Sequence, residues 1–563
     1  MPLLLVYRAL RKASEWMQTF YSDVLVEGQE NVPNDGPLII VANHHNELVD
    51  IATLAVTIPH RRPLRFWAKD SLFKVPVVRN ILASSGAIPV HRNSISVSSN
   101  EKTTSNGNNL HSALFQETLE ALDAGGVIGL FPEGTSYTHP HIPPLKGGVA
   151  RVALEYLKWQ TSRSDANGQL KHLNVVPVGI MYTDKSRYQS RVCVRFGPPV
   201  YFQHHASQYS AASADHAREM VGALTFDIEQ SLRALTINAP NWDVYHAASV
   251  ARDIIYENEG RAPLRSYVPI TQRLINALNN RDVKARTILV KYYSLLYHAN
   301  ISHGSLSATF PYPTIPSGRR AFQTCLWELT LTIFHPRALL FLPPLLVHIP
   351  GYLSGYLGRK YLASTVFEET HAQFKAICGG VGFGLCSAFV SRTVFEYFLW
   401  PIVKRLTSRS VLDISAFGFR LKIDERVLHN VGLVATAYGM TWALFRWHHA
   451  LVDRNYMQFK RLTTSFKVLI GVMRPASQTL SDSELAFYIR SPPKPFNRFL
   501  NISTAAPSSG LTPMRNTTHS EEMAKNEAGS LSTSALIMPL LAARVEATAV
   551  VKELVGRNPE LII

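Results

Sequence analysis

The sequence predicts an α/β fold with a largely parallel sheet, followed by a helical region and by apolar segments that enter a membrane. Three observations predict it. Up to about residue 235, short apolar runs such as PLIIVAN, GVIGLFP and NVVPVGIMY alternate with helical patterns. Residues 236–320 are helical in pattern throughout. Three nearly uncharged runs then follow, Ala338–Leu357, Ala376–Ser391 and Val427–Phe445, whose lengths approach the roughly 20 residues that cross a bilayer.

The apolar runs of the first part have the length of buried strands, and each ends in a polar loop. The pattern HSALFQETLEALDAG precedes one run and GGVARVALEYLKW precedes another. Strand–helix alternation favours an α/β sandwich whose functional loops lie at the carboxyl ends of the strands. The Ser-, Asn- and Thr-rich stretch Arg92–Asn109 is predicted to be a flexible insertion.

The three uncharged runs are compatible with more than one structure. Basic pairs flank them, as at Arg359-Lys360 and Lys404-Arg405, which suits anchoring at a headgroup interface. The first run contains Pro343, Pro344 and Pro350, which would break a single helix. A membrane span, a re-entrant hairpin and buried soluble helices are therefore all considered. A content of 17% charged residues fits a chain that lies partly in lipid.

The net charge of +16 indicates anionic partners, either phosphorylated substrates or an anionic membrane surface. Nucleic acid is excluded as the expected partner, since no zinc finger, RNA-recognition motif or basic helix with aromatics is present. The apolar stretch before Arg8 is too short for a signal-peptide core, and the cysteines show no pairing pattern. We therefore expect reduced thiols and an N-terminal amphipathic helix that lies on a membrane.

These patterns divide the chain into six segments. They are a membrane-associating helix (1–24), the α/β domain (25–235), a helical region (236–320), membrane-embedded helices or hairpins (321–450), a basic polar segment (451–500) and a disordered tail (501–563). The tail ends in an amphipathic helix, which is expected either to dock on the protein or to lie on the membrane.

The stretch VANHHNELVD ends an apolar run in two histidines and an aspartate. His45 and Asp50 have the spacing H-x-x-x-x-D, for which His44 is one residue too far. A histidine can deprotonate a hydroxyl near neutral pH when a carboxylate fixes its tautomer. No nucleophile elbow accompanies the pair, so the hydroxyl would belong to the substrate. An ordinary polar turn is the alternative, and a zinc site at the two histidines is disfavoured because adjacent extended residues point oppositely.

Three further stretches end apolar runs in polar residues. GAIPVHR ends in Arg92, FPEGTS contains Glu133 and Gly134, and NVVPVGI contains Pro177. Gly134 permits a tight turn whose backbone N–H groups could hold an anion. Each stretch taken alone is compatible with an ordinary strand end.

In this order, the four stretches resemble the motifs of the glycerolipid acyltransferase superfamily, the PlsC-like phosphate acyltransferases. The resemblance covers roughly residues 25 to 200 and implies the acyltransferase α/β sandwich. The sequence FPEGTSYTHP and the long C-terminal extension with apolar runs most resemble those of the fungal glycerol-3-phosphate/dihydroxyacetone-phosphate acyltransferases.

The resemblance implies roles for individual residues. His45 would be the general base and Asp50 would orient it, while Arg92 would pair with the acceptor's phosphate. Acceptor binding would involve Glu133, Gly134, Thr135 and Lys146, with Lys146 as a second phosphate partner. Many relatives have Arg where Ser136 stands here, so phosphate recognition would depend on Arg92 and Lys146 instead.

The implied reaction moves an acyl group from acyl-CoA to the sn-1 hydroxyl of glycerol-3-phosphate or dihydroxyacetone phosphate, the first step of phospholipid and triacylglycerol synthesis. Acylation of 1-acylglycerol-3-phosphate is the alternative within the superfamily, and a non-catalytic lipid-binding scaffold is the alternative outside it. Acyl-CoA is expected as co-substrate, with no metal or cofactor. The expected location is the endoplasmic reticulum membrane with the catalytic domain in the cytosol, with lipid droplets as a second location.

Overall fold

The computed structural model describes residues 2–74, 76–90, 115–163, 171–257, 262–280, 282–363, 368–409, 424–474, 480–493 and 533–561. Its seven strands are β1 (Asp23–Glu27), β2 (Leu38–Ala42), β3 (Leu64–Lys69), β4 (Ile88–Val90), β5 (Val127–Leu130), β6 (Asn174–Tyr182) and β7 (Arg191–Phe196). They form one sheet in the order β1-β7-β6-β2-β5-β3-β4. All neighbours are parallel except β6 and β7. The predicted α/β fold with a largely parallel sheet is confirmed.

Helices follow and cover the sheet. Those of the α/β part are α1 (Pro2–Gln18), α2 (Leu48–Thr57), α3 (Pro76–Ser85), α4 (residues 115–123), α5 (Gly148–Arg163), α6 (Ala206–Ala211) and α7 (Ala214–Leu235). The later helices are α8 (Trp242–Ile255), α9 (Leu264–Asn280), α10 (Val283–Ala299), α11 (His303–Thr309), α12 (Gly318–Phe334), α13 (Pro336–Tyr361), α14 (His371–Val394), α15 (Trp400–Arg409), α16 (Glu425–Val472), α17 (Asp482–Tyr488) and α18 (Ile537–Arg557).

Strand β2 lies at the centre of the sheet and is buried along its whole length. Its side chains alternate between the two faces, so Leu38 and Ile40 enter one apolar core while Ile39 and Val41 enter the other. A strand buried on both faces has no polar positions, which explains the uninterrupted apolar run in the sequence.

Helix α1 packs on the α/β part. The Tyr7 hydroxyl accepts a hydrogen bond from the Leu64 amide at 3.2 Å, and Gln18 Nε2 donates to Thr53 Oγ1 at 2.7 Å. Trp16 lies on the outer side and is 70% exposed. Association of this outer side with a membrane stays a prediction.

Helix α18 belongs to a third apolar core, made with the helices that follow the sheet. Leu540 and Leu541 of α18 pack with Leu289 of α10 and Val244 of α8. Of the two alternatives expected for the terminal amphipathic helix, the structure therefore shows docking on the protein. Residues 501–532 of the predicted disordered tail lie outside the described residues.

The first uncharged run lies in one continuous helix, α13, despite its three internal prolines. At about 1.5 Å per residue, its 26 residues reach roughly 39 Å, enough to cross the hydrocarbon core of a bilayer. Large apolar side chains project outward from α13 and α14, with Leu346 63%, Leu385 70% and Phe389 71% exposed. Exposure of this extent disfavours the alternative of buried soluble helices.

Three stretches of the described chain are long and apolar enough to cross a membrane by length and composition: Pro336–Tyr361, Glu368–Leu406 and Thr533–Arg557. The third contains α18, and 56% of its apolar 18-residue stretch is buried inside the protein. The uncharged run Val427–Phe445 forms the first part of α16, which continues as one 48-residue helix to Val472. That helix runs across the boundary that composition placed at residue 450.

Helices α13 and α14 form an antiparallel hairpin in which glycines permit close approach of the two backbones. A Cβ atom added at Gly351 would lie 2.9 Å from the Gly379 carbonyl oxygen. One added at Gly382 would overlap Ser354 Oγ and lie 2.7 Å from the Pro350 carbonyl oxygen. Small residues at such contacts are typical of helix pairs in membranes.

We expect Gly382→Ala to destabilise the hairpin, because the added methyl group meets a backbone oxygen that cannot move away without separating the helices. Overpacking of this kind costs about 1–3 kcal/mol. The measurement is the thermal midpoint of the detergent-solubilised protein. Gly384→Ala on the same helix is the matched control, since a Cβ atom there meets nothing within 4 Å. Equal midpoints for the two variants would contradict the close packing.

Candidate functional site

The site lies where the neighbouring parallel strands β2 and β5 end. Val41 of β2 pairs with Leu130 of β5, so the residues that follow each strand emerge side by side at one edge of the sheet. The Asn43 side chain fixes this edge to β6, because its Nδ2 donates to the Ile180 carbonyl at 2.8 Å and its Oδ1 accepts from the Ile180 amide at 2.6 Å. The His44 ring then stacks on Phe131, with centroids 4.0 Å apart.

His44 and Asp50 form the central polar pair of the site. Nδ1 of His44 lies 2.9 Å from Oδ2 of Asp50, and the Asp50 side chain is fully buried. The same carboxylate accepts from the Asn46 backbone amide at 2.7 Å and from the Tyr182 hydroxyl at 2.6 Å. With Nδ1 donating to the carboxylate, Nε2 of His44 is the ring nitrogen that can accept a proton.

This pair differs from the one that the spacing predicts, in which Asp50 orients His45. Instead, Nδ1 of His45 lies 3.2 Å from the Tyr137 carbonyl oxygen, to which it donates, and the ring packs edge-on against Tyr137. Burial lowers the pKa of His45 to about 4, so its ring is neutral at physiological pH. The spacing predicts that Asp50 orients His45, whereas in the structure Asp50 is the partner of His44.

The backbone between the histidines and α2 explains why Asp50 bonds to His44 and not to His45. His44 and His45 follow a strand directly, and successive side chains of an extended chain point to opposite sides. Glu47 has φ of 40° and ψ of −118°, which turns the chain sharply into the helix that begins at Leu48. The carboxylate of Asp50, in the first helical turn, thus reaches back to the more distant histidine.

Glu133 lies beside this pair, buried at 4% exposure. Its Oε1 accepts from the Tyr137 hydroxyl at 3.3 Å, while Oε2 has no hydrogen-bond partner among the described residues. Burial raises the pKa of Glu133 to about 7, and hydrogen bonds from the backbone amides of Glu133 and His44 oppose that rise only in part. The Tyr137 amide also donates to the His44 carbonyl at 3.0 Å, which holds the two loops together.

Gly134 and Thr135 lie on the turn after β5, and Lys146 contacts this turn from the loop that precedes α5. Gly134 has φ of +72°, and a Cβ atom placed on it would lie 2.5 Å from Nζ of Lys146. The Lys146 amide donates to the Pro132 carbonyl at 2.9 Å, and Thr135 Oγ1 donates to the Ser136 carbonyl at 3.2 Å. The Lys146 ammonium group therefore lies beside Gly134. Any side chain at Gly134 would displace it.

Arg92 lies outside the described residues, and the strand before it, β4, ends at Val90 on the edge of the sheet. Its role stays a prediction. The structure brings the other predicted residues to the ends of β2 and β5.

Three residues of the site were not found from the sequence. Phe131 stacks on His44, Tyr137 contacts both Glu133 and His45, and Tyr182 donates to Asp50. Phe131 and Tyr137 fall within or directly after FPEGTS, so the motif itself gave a signal. Tyr182 ends β6, and no local pattern indicates its contact with a residue 132 positions away.

Comparison with known proteins gives matches over the α/β part. The model of the acyltransferase family matches residues 23–181. Glycerol-3-phosphate O-acyltransferase 2 of Saccharomyces cerevisiae is 31% identical over 186 residues, which are 33% of this chain and 23% of that protein. Glycerol-3-phosphate O-acyltransferase 1 of the same yeast is 24% identical over 200 residues, 33% of this chain and 25% of that protein.

A bacterial protein also matches. The 1-acyl-sn-glycerol-3-phosphate acyltransferase of Borreliella burgdorferi is 29% identical over 154 residues, 27% of this chain and 53% of that protein. The match spans about a quarter of the length of the two yeast relatives. The similarity therefore concerns the α/β part.

Glu133→Gln is expected to stabilise the protein more at pH 8 than at pH 5. The folded pKa of about 7 exceeds the ordinary value of 4.5, so the contribution of Glu133 to wild-type stability is greatest below pH 4.5 and is lost as the pH rises through 7. Glutamine removes this loss. At about 1.4 kcal/mol per pKa unit, we expect the gain in unfolding free energy to grow by about 2 kcal/mol between the two pH values.

The measurement is thermal unfolding of both proteins in the same detergent at each pH. Glu117→Gln, at an exposed glutamate of α4, is the matched control and should show no such growth. A gain from Glu133→Gln that is the same at pH 5 and pH 8 would contradict a buried carboxyl group with a raised pKa.

Proposed function

Because residues 23–181 carry an acyltransferase domain, we propose that this protein transfers a fatty acyl group from acyl-CoA to the sn-1 hydroxyl of glycerol-3-phosphate, with dihydroxyacetone phosphate as a related acceptor. The observation that carries the proposal is the hydrogen bond between His44 and the buried carboxylate of Asp50. Such a pair is suited to deprotonate an alcohol, and the two yeast relatives are glycerol-3-phosphate O-acyltransferases.

In the proposed reaction, Nε2 of His44 takes the proton of the acceptor hydroxyl while the oxygen attacks the thioester carbonyl. Asp50 holds the ring in the required tautomer and stabilises the imidazolium that forms. The tetrahedral intermediate then expels the CoA thiolate, which takes the proton back from the imidazolium. Stacking on Phe131 fixes the plane of the His44 ring during both transfers. The histidine predicted from spacing, His45, is replaced in this role by His44.

Glu133 supports binding of an acceptor with several hydroxyl groups. Its Oε2 is buried and has no partner within the described part of the chain, so a hydroxyl donor from the acceptor can satisfy it. Asp50 is occupied by three donors and has less capacity for such a bond. We propose that Glu133 holds a glycerol hydroxyl next to His44.

Lys146 supports binding of the phosphate. Its side chain is exposed, and its ammonium group lies against Gly134, the residue that follows Glu133. Arg92 is the second proposed phosphate partner, because a guanidinium group matches the geometry of phosphate oxygens. A phosphate bound there would leave the glycerol hydroxyls at Glu133 and His44.

The acceptor 1-acylglycerol-3-phosphate is the second candidate, favoured by the similarity to the bacterial 1-acyl-sn-glycerol-3-phosphate acyltransferase. The non-catalytic scaffold is disfavoured by the formed His44–Asp50 pair. We place the protein in the endoplasmic reticulum membrane with the site in the cytosol, where acyl-CoA and glycerol-3-phosphate meet. The apolar helices of the chain support a membrane location.

His44→Ala is expected to reduce acyl transfer by about a thousandfold, the range of general-base catalysis, while His45→Ala stays within tenfold of wild type. The assay offers labelled acyl-CoA with glycerol-3-phosphate, dihydroxyacetone phosphate or 1-acylglycerol-3-phosphate, using membranes separated on a density gradient. The acceptor that becomes acylated is the substrate. The membrane fraction that carries the transfer activity identifies the compartment.

Thermal midpoints of the two variants serve as the folding control. Loss of activity in His45→Ala with full activity in His44→Ala would contradict the role given to His44. Absence of acyl transfer by the wild-type protein to all three acceptors would overturn the proposed function.

Arg92→Ala and Lys146→Ala are each expected to raise the apparent KM for the phosphorylated acceptor about tenfold or more, since a charge-assisted hydrogen bond contributes about 1.5–3 kcal/mol. The KM for acyl-CoA should change little. Lys158→Ala, at an exposed lysine of α5, is the control. A rise in the KM for acyl-CoA alone would place the substituted residue on the donor side.

A further inference from the structure

The first turn of α14 contacts the loop that carries the His44–Asp50 pair. Oε1 of Gln373 accepts from the Leu48 amide at 3.2 Å, and Nε2 of Gln373 donates to Oε2 of Glu47 at 2.8 Å. Leu48 is the first residue of α2, and Glu47 is the residue before it. One side-chain amide thus binds both a backbone donor and a carboxylate at the start of the helix that contains Asp50.

The start of α2 needs an external partner. Glu47, at the N-cap position, makes no side-chain capping hydrogen bond to its own helix. The first amides of a helix have no partners within it, and here the Val49 amide bonds to Asn46 while the Leu48 amide bonds to Gln373. Glu47 also has a positive φ of 40°, a conformation that non-glycine residues adopt only when the surroundings hold them there.

The position of Asp50 depends on this turn. Asp50 lies three residues after Glu47, and its amide donates to the Glu47 carbonyl at 3.2 Å. A shift of the Glu47 backbone would therefore rotate the Asp50 carboxylate relative to the His44 ring. Misplacement of a catalytic group by about 1 Å can cost a hundredfold in rate.

The same segment of chain contacts the other side of the site. Glu369, two residues before α14, is 3% exposed and accepts a hydrogen bond from Thr138, next to Tyr137. Nζ of Lys185 lies 3.8 Å from Oε1 of Glu369, and Nζ of Lys375 donates to the Ser186 carbonyl at 2.6 Å. Residues 368–375 therefore contact the loops after β2, β5 and β6 together.

We propose that Gln373 is a positioning residue for the His44–Asp50 pair, so that the first turn of α14 belongs to the catalytic unit as well as to the membrane hairpin. This inference rests on the proposed function of the pair. Gln373 acts through Glu47 and Leu48. It does not contact the reacting groups.

Exchange of the two partners provides the test. Gln373→Glu places two carboxylates together, so it should lower kcat tenfold to a hundredfold with little change in the KM for acyl-CoA. Glu47→Gln together with Gln373→Glu restores the hydrogen bond between the two side chains with donor and acceptor reversed and keeps an acceptor for the Leu48 amide. The double variant should therefore recover kcat to within about threefold of wild type, as a positional effect requires. Gln116→Glu, beside Glu120 on the exposed face of α4, is the matched control for adding a carboxylate near another.

Hydrogen–deuterium exchange of the peptide covering residues 43–52 in the full-length protein gives a readout that does not depend on activity. Gln373→Glu should accelerate exchange there, and the double variant should restore it. A single variant with wild-type kcat and exchange would overturn the inference while leaving the proposed function intact, as would a loss that the second substitution fails to reverse. If wild-type protein transfers no acyl group, the proposed function fails and the exchange rates alone decide whether Gln373 holds the loop.

Discussion

The parallel pairing of β2 and β5 is the constraint on which the site depends. Because Val41 and Leu130 are paired, both strands end at the same level, and the two loops that follow them meet without any long connection. His44 then stacks on Phe131, and the Tyr137 amide bonds to the His44 carbonyl. The bond from Asn43 to β6 adds the third strand of the edge. The sheet thus brings motifs that are separate along the chain together into one cluster of side chains.

Burial of Asp50 has a cost that the surrounding donors offset. A carboxylate removed from water is strongly destabilised unless hydrogen bonds replace the lost hydration. Asp50 receives such bonds from His44, Asn46 and Tyr182, which belong to two different strand ends. Glu133 differs in that its Oε2 has no partner among the described residues, and burial raises its pKa to about 7. The site thus holds one buried carboxylate engaged by three donors and a second buried carboxyl group with an oxygen left for a further donor.

The sequence was informative where a single rule decides the structure. Apolar runs such as that of β2 and the glycine of FPEGTS predicted the sheet and the tight turn at Gly134. The partner of Asp50 could not be predicted from spacing, because it depends on the φ of one residue, Glu47, and on its contact with Gln373, 326 positions away. Tyr182 was missed for the same reason. Contacts between distant segments have no local pattern, whereas strand ends and turns do.

The helices after the sheet show how tertiary packing overrides composition. Prolines 343, 344 and 350 do not interrupt α13, whose close partner α14 approaches through facing glycines. The apolar helix α18 is buried against α8 and α10. High hydropathy along a helix is therefore not sufficient evidence that the helix spans a membrane. The hairpin of α13 and α14 differs, since its apolar side chains face outward while the start of α14 bonds to the catalytic loop. The proposed reaction joins a water-soluble acceptor to a fatty acyl chain, which gives a reason for this arrangement. The loop proposed to activate the hydroxyl is held by the helix that would enter the lipid, so the product would form next to the phase in which it dissolves.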